Sequence, residues 1–157
     1  MKTIHKILIA VIALLVVFMG WFWFGGALKA EPTVASARAA DFPDAFTAAA
    51  SIVRSGASYQ VFSEASLDSA ENYELVDASI NLKNSGLFAA EWVEIEVTGG
   101  DGDVAVYSLT GAGSDVSPFS NSYVNVKLIT RNADASRSAT ITYYVLGMKR
   151  SIIVPLK

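Results

Sequence analysis

The stretch Asn81–Val97, NLKNSGLFAAEWVEIEV, decides the class of fold. Its second half alternates strictly: Val93, Ile95 and Val97 are apolar, while Trp92, Glu94 and Glu96 interleave with them. That period of two describes a strand with one dry face and one wet face. Its first half ends a run in which Val76, Ala78, Ile80 and Leu82 share one parity. The Asn84-Ser85-Gly86 break between the two halves has turn chemistry, and Leu87 and Phe88 are expected to fold back over one end of a core. The spacing therefore predicts two strands of one antiparallel unit, with Trp92 on the wet side.

Working outward, the same period recurs on both sides. Strands are expected over 59–67, 73–82, 92–97, 104–109, 123–130, 139–146 and 151–156. Gly-Gly-Asp-Gly-Asp at 99–103, Gly-Ala-Gly-Ser-Asp-Val-Ser-Pro at 111–118, Arg-Asn-Ala-Asp-Ala-Ser-Arg at 131–137 and a turn around Gly147 separate them. About seven short strands with regular turn signals describe an all-β antiparallel sandwich of the immunoglobulin or fibronectin kind, occupying residues 58–157. Before it, DFPDAFTAAASIVRSG predicts a short amphipathic helix, with Asp41 as N-cap, Pro43 in the first turn and Gly56 just past the end. Phe42, Phe46, Ala49 and Val53 fall on one face of that helix, which is expected to cover the sheet. AEPTVASARAA, small and polar, reads as a linker, so residues 29–57 are expected to be linker and helix.

The N-terminus has a different character. Residues 1–6 carry Lys2, His5 and Lys6, and the following run from Ile7 to Leu28 holds no charged residue across 22 positions. Such a run is as long as a bilayer core requires. It ends in Trp21-Phe22-Trp23-Phe24 rather than in small residues, which favours an uncleaved transmembrane helix over 7–28. Trp21, Trp23, Lys2 and Lys6 are then the interfacial anchors. Cleavage after Ala27, with Gly25 three positions back, is the second reading, and a buried core helix the third. The basic flank of residues 1–6 predicts a cytoplasmic start and a C-terminal domain outside the cytoplasm, held in a cell membrane by a single pass.

Charge restricts the partners. All 15 acidic residues lie after position 30, against nine of the 12 Lys and Arg, so the part beyond the apolar run carries −6 and the first 30 residues +3. An acidic body of this kind is a poor nucleic-acid binder and is not expected to lie flat on an anionic membrane. Acids concentrate between Glu64 and Asp103, and bases between Asp115 and Lys157. The two halves are expected to pair across strands or sheets. Cysteine is absent, which rules out a disulfide framework, and no Asn-x-Ser/Thr sequon occurs. A prokaryotic envelope is the economical address.

The residues for chemistry are few. The single histidine is His5, in the basic flank, and with no cysteine the body lacks imidazole and thiol nucleophiles as well as Cys/His zinc ligands. No phosphate-cradling Gly-x-x-x-x-Gly-Lys occurs. Asp101 and Asp103 around Gly102 could form an oxygen-rich calcium turn, to which Asp115 would add if its loop folded onto that end. A plain hairpin turn is the simpler expectation, because a calcium loop needs more donors. The sequence therefore predicts no catalysis, no cofactor and no small-molecule substrate. Its candidate interaction surface is Trp92 with Glu94 and Glu96, since an exposed Trp commonly anchors an interface.

On Leu82, Asn84, Gly86, Ala90, Val93 and Val97, the stretch NLKNSGLFAAEWVEIEVT resembles two groups of exported sandwich domains: the cell-adhesion-related domains of bacteria and archaea, and the group-2 late-embryogenesis-abundant domains. The second group often has Asn-Pro where Asn84-Ser85 stands here. The resemblance implies a non-catalytic immunoglobulin-like module used as spacer, adhesion or accessory domain. The function expected is a membrane-anchored envelope protein, bound to lipid through its N-terminal helix and to an envelope protein partner. The alternatives are a pilin-like filament subunit, against which the missing processing motif and the absence of acids in the first 30 residues speak, and a secreted sandwich after cleavage.

Overall fold

The computed structural model describes residues 2–24, 28–63 and 67–157, without the side chains of residues 2, 3 and 21–24. Helix α1 spans Lys2–Phe24 and is followed by strand β1 at Leu28–Arg38, helix α2 at Pro43–Arg54, and strands β2 (Gln60–Val61) and β3 (Glu74–Asn84). Strands β4 (Glu91–Thr98), β5 (Asp103–Thr110), β6 (Ser120–Thr130), β7 (Arg137–Val145) and β8 (Met148–Leu156) complete the chain. The strands form two antiparallel sheets, one of five in the order β1-β3-β6-β5-β2 and one of three in the order β4-β7-β8.

The period-two positions face each other across the gap between the sheets. Val76, Ala78, Ile80 and Leu82 of β3 and Val124, Val126 and Leu128 of β6 share one core with Val93, Ile95 and Val97 of β4 and Ala139, Ile141 and Tyr143 of β7. All are at most 3% exposed, so each removes nearly its whole apolar surface from water, worth about 1.5–3 kcal/mol for a Val, Leu or Ile.

Three sequence expectations change here. The eighth strand is β1, where a linker was expected. All 11 of its residues pair with β3, from Leu28 opposite Asn84 to Arg38 opposite Glu74. Leu28, assigned to the anchor, is instead a core residue at 2% exposure. The period of two is present in Leu28, Ala30, Pro32 and Val34, but its small side chains and its proline masked it; Pro32 is tolerated because β1 is an edge strand. Conversely, of the strand expected over 59–67 only Gln60–Val61 pairs, with β5, and residues 64–66 lie outside the described residues.

Helix α2 covers one end of the outer face of the five-stranded sheet. Phe46 and Ala50 pack there on Ala105 and Ile129, and the Phe46 ring stacks on Tyr73 at 5.9 Å. Its N-cap is Phe42, without a side-chain cap, and Asp41 instead ends a preceding 3-10 turn at Ala39–Asp41. Phe42 is exposed, so the buried face runs through Phe46, Ala49 and Ala50.

Around α1 the large apolar side chains from Ile4 to Met19 are exposed on all sides, between 48% and 71%. Among the described residues no helix is long and apolar enough to cross a membrane. The side chains of Lys2, Trp21 and Trp23, expected at a membrane interface, lie outside the described residues, as do Gly25 and Ala27; Lys6 is exposed on α1.

Candidate functional site

Strand direction divides the sandwich into two ends. At one end β3 passes to β4, β5 to β6 and β7 to β8, and there β1 begins at Leu28. The opposite end carries α2, the 99–103 turn and the 131–136 turn.

The first end is built around Asn84 and a bulge in β4. Buried Asn84 accepts from the Gly86 N–H at 2.9 Å and donates its amide to the carbonyls of Phe88 (2.8 Å) and Val116 (2.9 Å), tying two loops together. Ala90 and Val116 form a bridge, and the 111–116 loop lies along the start of β4 through Gly113 N–H to Val93 O and Val93 N–H to Ser114 O. Gly111 is required where this loop leaves β5, since its φ is +84° and a Cβ there would meet the Tyr123 carbonyl at 2.2 Å. Phe88 packs against the core as expected, whereas Leu87 is 43% exposed.

Trp92 sits on the bulge between Glu91 and Glu94, in the left-handed region at φ 51°. The Asp115 carboxylate holds it there by accepting from its backbone N–H at 2.9 Å, and its indole N–H donates to Glu94 Oε1 at 3.0 Å. The ring is 61% exposed. Two other non-glycine residues among those described have positive φ, Phe119 at 53° and Leu146 at 50°, and they are 69% and 57% exposed. All three belong to this end. Leu146 and Gly147 (φ 76°) form the β7–β8 hairpin turn, where Asn-Gly is the favoured pair.

Glu94 and Glu96 lie on the outer face of the three-stranded sheet. They border a shallow hollow of about 490 Å³ with Tyr59, Gln60, Thr140, Thr142 and Lys149. Gln60 closes the β4 edge there, accepting from the Val97 N–H at 3.2 Å and donating to the Val97 carbonyl at 2.7 Å, while the Tyr59 hydroxyl donates to the Ile95 carbonyl. Trp92 lies on the bulge toward the loops and is joined to Glu94 through its indole N–H, while Glu94 and Glu96 share the sheet face.

The Asp101–Asp103 turn lies at the opposite end, and its chemistry is that of an ion pair. Asp103 is buried, its carboxylate accepting from Arg137 Nε at 2.9 Å and Nη2 at 2.6 Å, and from the Gly100 N–H at 2.6 Å. Arg137 also donates to the carbonyls of Ala133 and Ala135, to the Asn132 carbonyl and to the Thr130 hydroxyl. The guanidinium thus occupies the place where a cation was considered, and it pins the 131–136 turn. Asp115, the third carboxylate considered, is at the other end against Trp92. Among the described residues no group of three His, Cys, Asp or Glu could hold a metal. A hollow of about 600 Å³ beside this turn carries Asp101 and Arg131, opposite charges that do not converge on one kind of ligand.

Among the described residues, two ion pairs join the acidic and basic stretches of the chain across strands. Asp103 meets Arg137, and Asp77 on β3 meets Lys127 on β6 at 3.0 Å. The Asp77 hydrogen bond raises the Lys127 ammonium above its usual pKa. The features missed in the sequence are Phe119 and Leu146, whose only signal was an apolar residue inside a turn; Leu87, expected over the core, is instead exposed.

No family model and no curated protein matches the chain. Among solved structures it is similar to a structural-genomics target designated SoR45, at TM-score 0.50 and 13% identity over 82% of this chain and 83% of that one. It is also matched to the GAE domain of GGA2p from Saccharomyces cerevisiae (TM-score 0.39, 7% identity, 57% of this chain and 90% of that one). A FixG-related protein from Vibrio parahaemolyticus gives TM-score 0.35 and 11% identity, over 81% of this chain and 94% of that one. The first likeness concerns the arrangement of strands alone.

Proposed function

We propose that the protein is a non-catalytic, membrane-anchored module of the cell envelope that presents an immunoglobulin-like β-sandwich outside the cytoplasm. The observation that carries this reading is α1. A helix that is apolar all round belongs in a protein core or in lipid, and none of the sandwich elements covers the side chains from Ile7 to Met19. In sequence the uncharged run continues beyond the described side chains through Trp21–Ala27. The described helix alone does not meet the length and hydropathy of a spanning segment; the reading rests on the uncharged sequence run Ile7–Ala27, whose 21 residues match what a hydrocarbon core of about 30 Å requires.

One further observation supports an anchor over release. A cut after Ala27 would put an α-ammonium charge on Leu28, a buried residue whose N–H donates to the Tyr143 hydroxyl at 3.3 Å. The Lys2, His5 and Lys6 flank favours a cytoplasmic start. The resemblance to cell-adhesion-related domains fits a spacer or adhesion role with an envelope protein as partner. Mass spectrometry of the mature protein together with alkaline extraction of membranes tests the reading. An intact N-terminus in the extraction-resistant fraction is expected. A start at Leu28 with release into solution would overturn it, and a start near Ile7 would indicate a filament subunit.

A further inference from the structure

The three exposed apolar side chains held at positive φ, together with Leu87, lie at the same end of the sandwich as the junction with α1. Trp92 is at the start of β4, Leu87 in the β3–β4 loop, Phe119 in the β5–β6 loop and Leu146 in the β7–β8 turn. Leu28, which follows α1 by only three intervening residues, pairs with Asn84 at the end of β3. Four residue steps reach at most about 14 Å. With no stalk, a sandwich tethered to a membrane-embedded α1 keeps this end against the bilayer.

From this we infer that the loop end is a lipid-docking surface: Leu87, Trp92, Phe119 and Leu146 insert into the interfacial zone of the bilayer that holds α1, and the sandwich stands end-on. The inference rests on the anchored reading above. A large apolar side chain in the left-handed region is conformationally costly where Asn or Gly would be at ease. Exposing that side chain to water adds a second cost, and three residues bear both. Lipid removes the second, and Trp in particular suits the headgroup level.

Two lysines at this end are also placed to meet lipid headgroups. Lys29 and Lys83 are direct cross-strand partners at this end, an unfavourable like-charge pair, and neither has an ion-pair partner among the described residues. Lipid phosphates would neutralise them. The acids Asp41, Asp44, Asp68, Glu71 and Glu74 collect at the opposite end, away from the membrane. Glu91, Glu94 and Asp115 stand at or beside Trp92 at the loop end, so charge there is mixed and the exposed apolar tips, not net charge, carry the end-on seating.

The test uses the full chain in lipid vesicles, with single nitroxide labels on cysteines introduced into a chain that has none. V11C reports the anchor, F119C and L146C the loop end, and D134C the far end. The expected result is V11C deep in lipid, F119C and L146C at headgroup depth, and D134C accessible to aqueous reagents. Loop-end labels as water-accessible as D134C, with V11C deep, would overturn the docking inference alone. A water-accessible V11C would overturn the anchored reading, and the docking inference with it. Spin broadening at F119C that persists on dilution with excess lipid would put a second copy on this end and refute lipid as the occupant. In a W21F/W23F background Trp92 is the sole tryptophan, and its quenching by brominated lipid should weaken in F119N/L146N while thermal unfolding stays equal or moves upward. Quenching of Trp92 that is unchanged in F119N/L146N would refute insertion of these tips.

Discussion

Replacing Arg137 by Met removes the guanidinium from a site where both partners of the ion pair have almost no solvent contact, 2% and 0% for the side chains of Arg137 and Asp103. The thioether fills much of the volume but donates nothing. Asp103 keeps only the Gly100 N–H, the carbonyls of Ala133 and Ala135 lose their Arg137 donor, and the Asn132 carbonyl is left with the Thr130 hydroxyl and the Ala135 N–H. Breaking a buried pair in this way costs about 3–5 kcal/mol. For a body of this size that corresponds to a fall in melting temperature of roughly 12–20 °C. Thermal and denaturant unfolding followed by far-ultraviolet circular dichroism measures it. D103N should also destabilise, and D103L/R137M should recover part of the loss, because removing both charges leaves no buried ion alone. A fall of less than about 1 kcal/mol in R137M would refute the reasoning, since a truly isolated buried carboxylate cannot be that cheap. So would a calcium-dependent rise in melting temperature that D103N abolishes, because the turn would then be holding a cation.

Three other perturbations follow from the geometry. L146N converts the Leu-Gly hairpin turn to Asn-Gly and should raise stability by roughly 1 kcal/mol, readable as a higher denaturation midpoint; a decrease would mean that the Leu146 side chain contributes packing within the sandwich. Q60A removes both hydrogen bonds to Val97 and should cost about 1–3 kcal/mol, with faster amide exchange at Val97; unchanged exchange would show that Gln60 does not guard the β4 edge. The Tyr73 hydroxyl, with Asn72 and the Arg131 charge, holds the Asp68 carboxyl below its ordinary value against the opposing effect of desolvation. A carboxyl lowered on folding contributes stability above its unfolded pKa and loses it as pH falls through the lower folded value. Y73F should therefore flatten the acid limb of stability between those two values, and an unchanged slope in the pH titration of unfolding would count against the link.

Much of the sandwich was legible because burial on one face imposes a period of two. Val76–Leu82, Val93–Val97 and Ala139–Val145 needed no tertiary information, and Asn84-Ser85-Gly86 fixed their break. Strand β1 was not legible, because an edge strand tolerates Pro32 and small residues and so resembles a linker. The short β2 was over-read: its ladder with β5 is confined to Gln60–Val61, while the side chains of Tyr59 and Gln60 reach across to the β4 backbone.

For the candidate surface, parity placed Trp92 in water but could not foresee the bulge that turns it toward the loops, nor its hold by Asp115 from 23 positions away. The sequence by itself determined the apolar run, its basic flank, the lack of His and Cys in the body, and the alternation that makes sheets, because each is a property of neighbours along the chain. Only the tertiary structure decided that Asp103 belongs to Arg137, that β1 follows the helix with no stalk, and that Leu87, Trp92, Phe119 and Leu146 share one end. Those relations depend on strand register and direction, which join residues that the chain itself keeps far apart.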